Sequence, residues 1–273
     1  MITLILNSME GPLQLLLAEN DSQGENLKLK AYQEWEPQGQ GAETLIPNLA
    51  ALLAQNKLAA SDIYRIACVR GPGSFTGIRL ALTTALGLAR SIASQPLLAG
   101  LDYLPLLANT ALEEVSSSQL PASVWVLTHA RRGQIHIQGF KANASHELSS
   151  LCPPEGCLIE KGLEKIKNLS PKSSPIFLMG SALPRNAELI NAEFAEELCL
   201  KQLTLLDEKL FTPSQTSLLK AASRAEYSTK PIEALYLRSS DAEENLPYIA
   251  AGLGLDPHQA MLDLLKLTGR EVS

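Results

Sequence analysis

The chain has 273 residues, 45% hydrophobic and 19% charged, with 23 basic against 29 acidic side chains and a net charge of −6. That length suits about two domains of roughly 150 residues and a sizeable core, and the composition excludes a disordered tail. Residues 1–105 carry 7 basic and 9 acidic groups and the remainder 16 and 20, so neither part has the basic footprint of an autonomous nucleic-acid binder.

The longest charge-free stretch, Val115 to Ala130, has 16 residues and is interrupted by Ser116, Ser117, Ser118, Gln119 and Pro121. It falls short of the ~20 apolar residues a membrane span needs. No Lys or Arg precedes Lys28, so no signal peptide is expected, and the expected location is cytoplasmic.

Ile2 to Leu6 predicts a buried strand, Glu10-Gly11-Pro12 a turn, and Leu13 to Ala18 a second strand completing a hairpin. Leu27 to Trp35 fits a third strand. From Glu43 to Gln55, Leu45, Ile46, Leu49, Leu52 and Leu53 fall at helical spacing. Tyr64 to Val69 is a short strand ended by Gly71-Pro72-Gly73, and a long helix follows from Phe75 to Ala93. Pro96 to Ala99 is another strand, with Asp102 placed to cap a helix running to Glu114. Ser123 to Leu127 and Gln134 to Phe140 are strands around the turn Ala130-Arg131-Arg132-Gly133, and His146 to Leu151 is a third. Helices and strands then alternate to about Ser223, with 164–175 expected as an exposed loop. The order of hairpins followed by alternating helices and strands occurs twice, which suggests two similar α/β lobes with mixed sheets. The expected division is 1–104, 105–238 and a C-terminal extension, 239–273. In that extension Asp256-Pro257 opens a helix whose stripe is Ala260, Met261, Leu264, Leu265 and Leu267, closed by Gly269. That helix either packs on the body of the chain or serves as a partner-binding appendage.

Chemistry-bearing constellations are sparse. Cys68 and Cys199 are expected as small core residues. Cys152 and Cys157 flank Pro153, Pro154 and Gly156 as incidental loop cysteines, since the nearest histidine is His146 and a metal site wants two more ligands. His129, His136, His146 and His258 include no His-x-x-x-His pair, and no Gly-x-Ser-x-Gly elbow is present. Asp62, Asp102, Asp207 and Asp241 sit beside turns or caps, where Asp usually has a structural task. Arg131 and Arg132 are read as a solvated pair, with anion binding the alternative.

The informative segment is Arg70-Gly71-Pro72-Gly73-Ser74-Phe75-Thr76-Gly77-Ile78-Arg79, which leaves a strand and opens a helix. Backbone N–H groups in such a place can hold an anion, so Gly71, Gly73, Ser74, Thr76 and Gly77 form a possible anion-binding loop. A tight structural turn is the other reading. The segment is neither a Walker loop nor a dinucleotide fingerprint, because no Gly-Lys-Ser/Thr follows and Gly77 comes one position late. In the helix, Ile78, Leu82, Leu86 and Ala89 make an apolar ridge, and Thr76, Thr83, Thr84, Gly87 and Ser91 lie on another side. Glycine at 87 costs ~1 kcal/mol relative to Ala, which points to close approach by a neighbour, either inside the chain or in a partner.

The run GPGSFTGIRLALTTALGLA, Gly71 to Ala89, closely resembles the signature of the bacterial TsaB (YeaZ) family. ETLIPNLAALL (Glu43 to Leu53), ARRGQIHIQGF (Ala130 to Phe140) and EALYLR (Glu233 to Arg238) are similar to further family segments in the same order, so the resemblance spans about residues 1–238. It implies a two-lobed actin-like (ASKHA, ribonuclease H-like) α/β fold and a non-catalytic accessory subunit with no metal and no cofactor of its own, ATP being used by the complex. The implied partners are TsaD, the catalytic paralogue, and TsaE, an ATPase. Together they transfer a threonylcarbamoyl group to N6 of the adenosine 3′ of the anticodon in tRNAs reading codons that begin with A. Contact with tRNA would come only through the complex, and a homodimer is expected when the partner is missing. Carried over by position, Glu43–Leu53 and Phe75–Ala89 supply the interface, with Leu45, Leu49, Leu52, Phe75, Thr76, Arg79, Leu80, Thr83, Thr84 and Gly87 as contact residues.

Three positions depart from the family. Asn7 stands where an Asp orients metal and phosphate in actin-like kinases, and an amide cannot supply that charge. His129 stands where an Asp precedes Ala130, and the tail after Arg238 runs past the usual family end. An actin-like small-molecule kinase, a diverged protein-binding module and a metallopeptidase are the alternative functions. The first needs the carboxylate that Asn7 replaces, and the last needs metal ligands that the sequence does not offer.

Overall fold

β1 (Ile2–Asn7) is apolar at nearly every position rather than at alternate ones, the pattern of a strand covered on both faces. In the computed structural model of the chain, which describes residues 1–20, 27–36, 41–131, 133–171, 174–237 and 241–268, that is its situation. Leu4 and Leu6 enter one core and Ile5 enters another on the opposite face. β1 lies in a five-stranded sheet with β2 (Leu13–Asn20), β3 (Leu27–Trp35), β4 (Ile63–Val69) and β5 (Leu97–Leu101), in the order β3-β2-β1-β4-β5. The first three are antiparallel, and β4 and β5 run parallel to β1. α1 (Gly41–Gln55) and α2 (Phe75–Ser91) cover one face through Leu45, Leu49, Leu52, Ala81 and Ala85.

The second sheet repeats this plan with β6 (Ala122–Arg131), β7 (Gln134–Ala142), β8 (Leu148–Ser150), β10 (Ile176–Met179) and β11 (Leu203–Leu205) in the order β11-β10-β6-β7-β8. β9 (Glu155–Leu158) also pairs with β7. Here too an antiparallel meander is followed by parallel strands. α3 (Tyr103–Glu114) and α7 (Gln215–Arg224) fill the space between the sheets, because Ile5 and Leu16 from the first and Val124, Val126 and Phe140 from the second share one core with Tyr103, Leu107, Leu218 and Ala222. The outer face of the second sheet carries Trp125 and Leu127 into a third core with Ile166 of α4 (Ile159–Leu169), Ile190 of α5 (Ala187–Glu193) and the partly buried Leu198 of α6 (Ala195–Cys199). The duplicated order is the two-lobed actin-like α/β arrangement that the sequence leads one to expect.

Residues 1–235 form one compact unit and residues 236–273 a second. The second consists of α8 (Asp241–Gly252) and α9 (Pro257–Thr268) packed as a helical hairpin. Its turn is closed by Leu255 N donating to the Ala250 carbonyl at 2.9 Å, and Asp256 Oδ1 accepts from His258 N at 2.9 Å as the cap of α9. Among the described residues no helix is long and apolar enough to cross a membrane.

Several local expectations change. Residues 164–169 continue α4 rather than forming a loop: Ile159, Leu163 and Ile166 give them a buried face, and Lys165 and Lys167 pair with Glu155 and Glu193 on its rim. Asp102 does not cap α3 through its side chain; its carboxylate binds Arg70 Nε at 2.6 Å. Cys199 is exposed at the end of α6 instead of lying in the core, whereas Cys68 is buried as expected. α8 was not expected at all. Arg132, Lys172, Ser173 and Gly269 lie outside the described residues.

Candidate functional site

The glycine run leads from β4 into α2, and its glycines are packed against other segments of the chain. Gly71 has φ +114°, which favours glycine, and a Cβ there would sit 2.6 Å from the Leu235 carbonyl oxygen. At Gly77 a Cβ would land on the Ser8 carbonyl, and Ser8 Oγ donates to the Gly77 carbonyl at 2.7 Å. Gly73 lies against Met9. Ser74 is the N-cap of α2, its hydroxyl accepting from Gly77 N at 3.3 Å, while Thr76 is exposed in the first turn. Gly71, Gly73 and Gly77 are thereby explained by packing of the turn against the end of β1 and the segment ending at Leu235, with no anion needed. Ser74→Ala is expected to cost about 1 kcal/mol in denaturant unfolding, the usual loss of an N-cap.

Past the loop, α2 turns Ile78, Ala81, Ala85 and Ala89 inward and leaves Thr76, Arg79, Thr83, Gly87, Arg90 and Ser91 exposed, with Phe75, Leu80 and Thr84 half-buried. Arg79 stacks over the Phe75 ring at 5.8 Å. A Cβ on Gly87 would meet nothing within 4 Å. The close neighbour anticipated at Gly87 is therefore not within the described part of this chain. On α1 the expected contact residues need correction. Leu45, Leu49 and Leu52 are buried in the core against the sheet and face away from any partner, because the strongest apolar stripe of a surface helix goes to its own core. Among the described side chains of α1 the exposed ones are Glu43, Ile46, Pro47, Ala50, Ala51, Ala54 and Gln55.

The connection after β1 is where an actin-like kinase would hold phosphate. Asn7 is buried and donates through Nδ2 to Gln14 Oε1 at 2.8 Å, while its Oδ1 accepts from Met9 N at 3.2 Å. Gln14 in turn donates to Tyr32 Oη and the Pro213 carbonyl, each at 3.0 Å, and Tyr32 donates to Glu34. Both ends of the Asn7 amide are thus used inside the fold, and no carboxylate stands at this position to bind a metal ion.

Next to it lies a cluster that sequence reasoning missed. Ser181 Oγ donates to Glu10 Oε2 at 2.6 Å and accepts from His129 N at 2.8 Å, joining the turn between β1 and β2 to the segment after β10. Burial pushes the Glu10 carboxyl up from 4.5 to about 7, against the smaller opposing pulls of the Ser181 hydrogen bond and the Arg185 charge. Burial and Arg185 lower His129, and burial with the Glu10 charge raises Tyr103 well above its ordinary value. Ser181 has no imidazole as partner in these bonds, so the cluster joins two segments rather than forming a nucleophile with its base. The only sequence sign was the turn Glu10-Gly11-Pro12, since Ser181 lies 171 residues away.

The remaining candidates separate. His136 is buried within the second sheet, 3.4 Å from Thr128 Oγ1, and His129 lies near the end of β6. Cys157 pairs with Ile135 across β7, while Cys152 Sγ accepts from Gly139 N at 3.4 Å. Four residues of strand, at about 3.4 Å each, separate those two positions, too far for a disulfide. Among the described residues no group of three or more His, Cys, Asp and Glu is placed to hold a metal ion.

A family model described as TsaD: tRNA N6-adenosine threonylcarbamoyltransferase matches residues 39–243. The tRNA threonylcarbamoyladenosine biosynthesis protein TsaB of Bacillus subtilis (strain 168) is 25% identical over 147 residues, which is 53% of this chain and 58% of that protein. The chain thus spans little more than half the length of that curated relative. Two solved structures from Pseudomonas aeruginosa share the fold. One, an uncharacterized protein with similarity to peptidase YEAZ, superimposes with a TM-score of 0.63 at 20% identity, covering 87% of this chain and 99% of that one. The other, YeaZ, superimposes with a TM-score of 0.57 at 19% identity, covering 86% and 99%.

Proposed function

The chain belongs to the TsaB (YeaZ) family of tRNA threonylcarbamoyladenosine biosynthesis proteins, and we propose that it is the non-catalytic scaffold subunit of a threonylcarbamoyltransferase assembly. Its outer α1/α2 face pairs with a TsaD-type catalytic subunit, and a TsaE-type ATPase joins the pair. The group transferred is threonylcarbamoyl, delivered to N6 of the adenosine 3′ of the anticodon in tRNAs reading codons that begin with A. The observation carrying the pairing is Gly87: a glycine in mid-helix, exposed, with open space where its side chain would be. A helix tolerates that loss of stability where another backbone must come close. The acidic net charge of the chain supports tRNA contact through the partner only.

The test is co-elution of the chain with the TsaD-type protein of the same organism, with molar mass from light scattering. A one-to-one species is expected. Two separate peaks at micromolar concentrations with nucleotide present would leave the family and fold standing and remove this role. The buried Asn7–Gln14 amide pair disfavours the small-molecule kinase reading. The isolated chain is therefore expected to show no ATP turnover and no ATP-dependent rise in melting temperature; a rise of several degrees would revive the kinase.

A further inference from the structure

The turn between β1 and β2 touches two parts of the chain at once. On one side it holds the start of α2. Ser8 Oγ donates to the Gly77 carbonyl at 2.7 Å, a Cβ on Gly77 would land on the Ser8 carbonyl, and Gly73 packs on the Met9 side chain. Ser8 and Met9 are both buried. One residue further on, Glu10 crosses to the second lobe. There Ser181 Oγ donates to its carboxyl at 2.6 Å and is itself fixed by accepting from His129 N at 2.8 Å. Three consecutive residues, Ser8 to Glu10, thus join the second lobe to the helix that carries Thr76, Arg79, Thr83 and Gly87 on its exposed side.

A displacement at Glu10 has little room to be absorbed within the turn. Ser8 and Gly77 already lie as close as a residue without a Cβ allows, and packed contacts move together rather than deform. We propose that Glu10 is a positioning residue for partner binding: latched to Ser181, it holds the β1–β2 turn against the first turn of α2, so the joint between the lobes fixes the α2 face that the catalytic partner meets. This rests on the scaffold reading. The latch depends on a proton, because burial pushes the Glu10 carboxyl up to about 7. Among the described residues the groups facing it are the Ser181 hydroxyl and the Arg185 guanidinium from the segment after β10, and the Tyr103 phenol from α3, with the His129 backbone N–H of β6 behind Ser181. Arg185 favours the ionised form, but burial opposes it more strongly. Once ionised, the carboxylate is drawn towards water, and the turn and the start of α2 loosen with it.

Two measurements on the full chain decide it. Hydrogen exchange compares the parent with Glu10→Gln, which keeps an acceptor for Ser181 and has no proton to lose, at about pH 6 and about pH 8.5. The amides of residues 74–79 are expected to exchange alike at the lower pH and faster in the parent at the higher, with those of β7 unchanged. Calorimetric titration with the TsaD-type subunit is expected to give equal affinities at the lower pH and binding about fivefold or more weaker for the parent at the higher. Groups that titrate on the partner act on both proteins alike and cancel. Ser181→Ala, which breaks the latch at any pH, is expected to bind weakly at both, with circular dichroism checking its fold. Equal exchange at 74–79 at the higher pH, or a difference that extends equally to β7, overturns the hold of the latch on α2. Different exchange with equal affinity overturns the positioning role and leaves the scaffold role standing. A parent and a Gln variant that bind no partner at either pH overturn the scaffold role, and the positioning role with it.

Discussion

Gly87→Leu is expected to destroy pairing with the TsaD-type subunit while leaving the chain at least as stable as before. Within the chain the substitution is favourable. Gly87 is exposed on α2, a Cβ there meets nothing within 4 Å, and replacing a helix-interior glycine with a good helix former gains ~1 kcal/mol. The melting temperature should hold or rise by a few degrees. At an interface where a second backbone fills that space, a leucine side chain has nowhere to go. Overpacking a closed contact costs typically 1–3 kcal/mol, about tenfold to a hundredfold in affinity, and more where backbone blocks relaxation. Calorimetry and light scattering on the same preparation separate the two effects. Wild-type affinity in a folded Gly87→Leu chain would remove α2 from the interface, and a large drop in melting temperature would mean that Gly87 serves the fold instead.

The same reasoning shows where the sequence misleads. Leu45, Leu49 and Leu52 stand at helical spacing, and spacing identifies a face without saying which way it points. They line the core, and the outward side of α1 includes Ile46, Pro47, Ala50, Ala51 and Ala54, where Ile46 reads with the apolar set and the three small alanines give little apolar signal of their own. The glycine run was legible as a strand-to-helix turn, because positive φ and close backbone approach restrict those positions to glycine, and the strand and helix order of both lobes followed from apolar runs and turn residues. Asp102 and Cys199 were misplaced for local reasons: an Asp before a helix looks like a cap until Arg70 competes for it, and a short helix end hides which side of Cys199 is wet. α8 contains Pro247 and an acidic start, which mask its helical pattern. The Glu10–Ser181 bond had no signal beyond the turn Glu10-Gly11-Pro12, since its partners come from opposite lobes and meet only once both sheets are built.

That bond governs the expected pH dependence of stability. In the folded chain the Glu10 carboxyl titrates at about 7, against 4.5 for an ordinary glutamate, so folding holds a proton that the unfolded chain gives up. The groups facing it are the Ser181 hydroxyl, the Arg185 guanidinium and the Tyr103 phenol, with His129 contributing its backbone N–H to Ser181. Arg185 attracts the ionised form, but burial outweighs it. The stability supplied by the protonated carboxyl is complete below about pH 4.5 and is lost as pH rises through about 7. At 1.36 kcal/mol per pKa unit the loss is about 3 kcal/mol. Glu10→Gln keeps an oxygen to accept from Ser181 and has no proton to lose. Denaturant unfolding of both proteins at about pH 5 and about pH 8 should therefore find them close at the lower pH and the Gln variant more stable at the higher. Subtracting the variant from the parent removes every other titrating group, including His129, whose lowered value acts in the opposite direction by costing stability when the pH falls. Equal pH slopes in the two proteins would mean that the Glu10 carboxyl is solvated and ionised in solution, and that the joint between the lobes is open there.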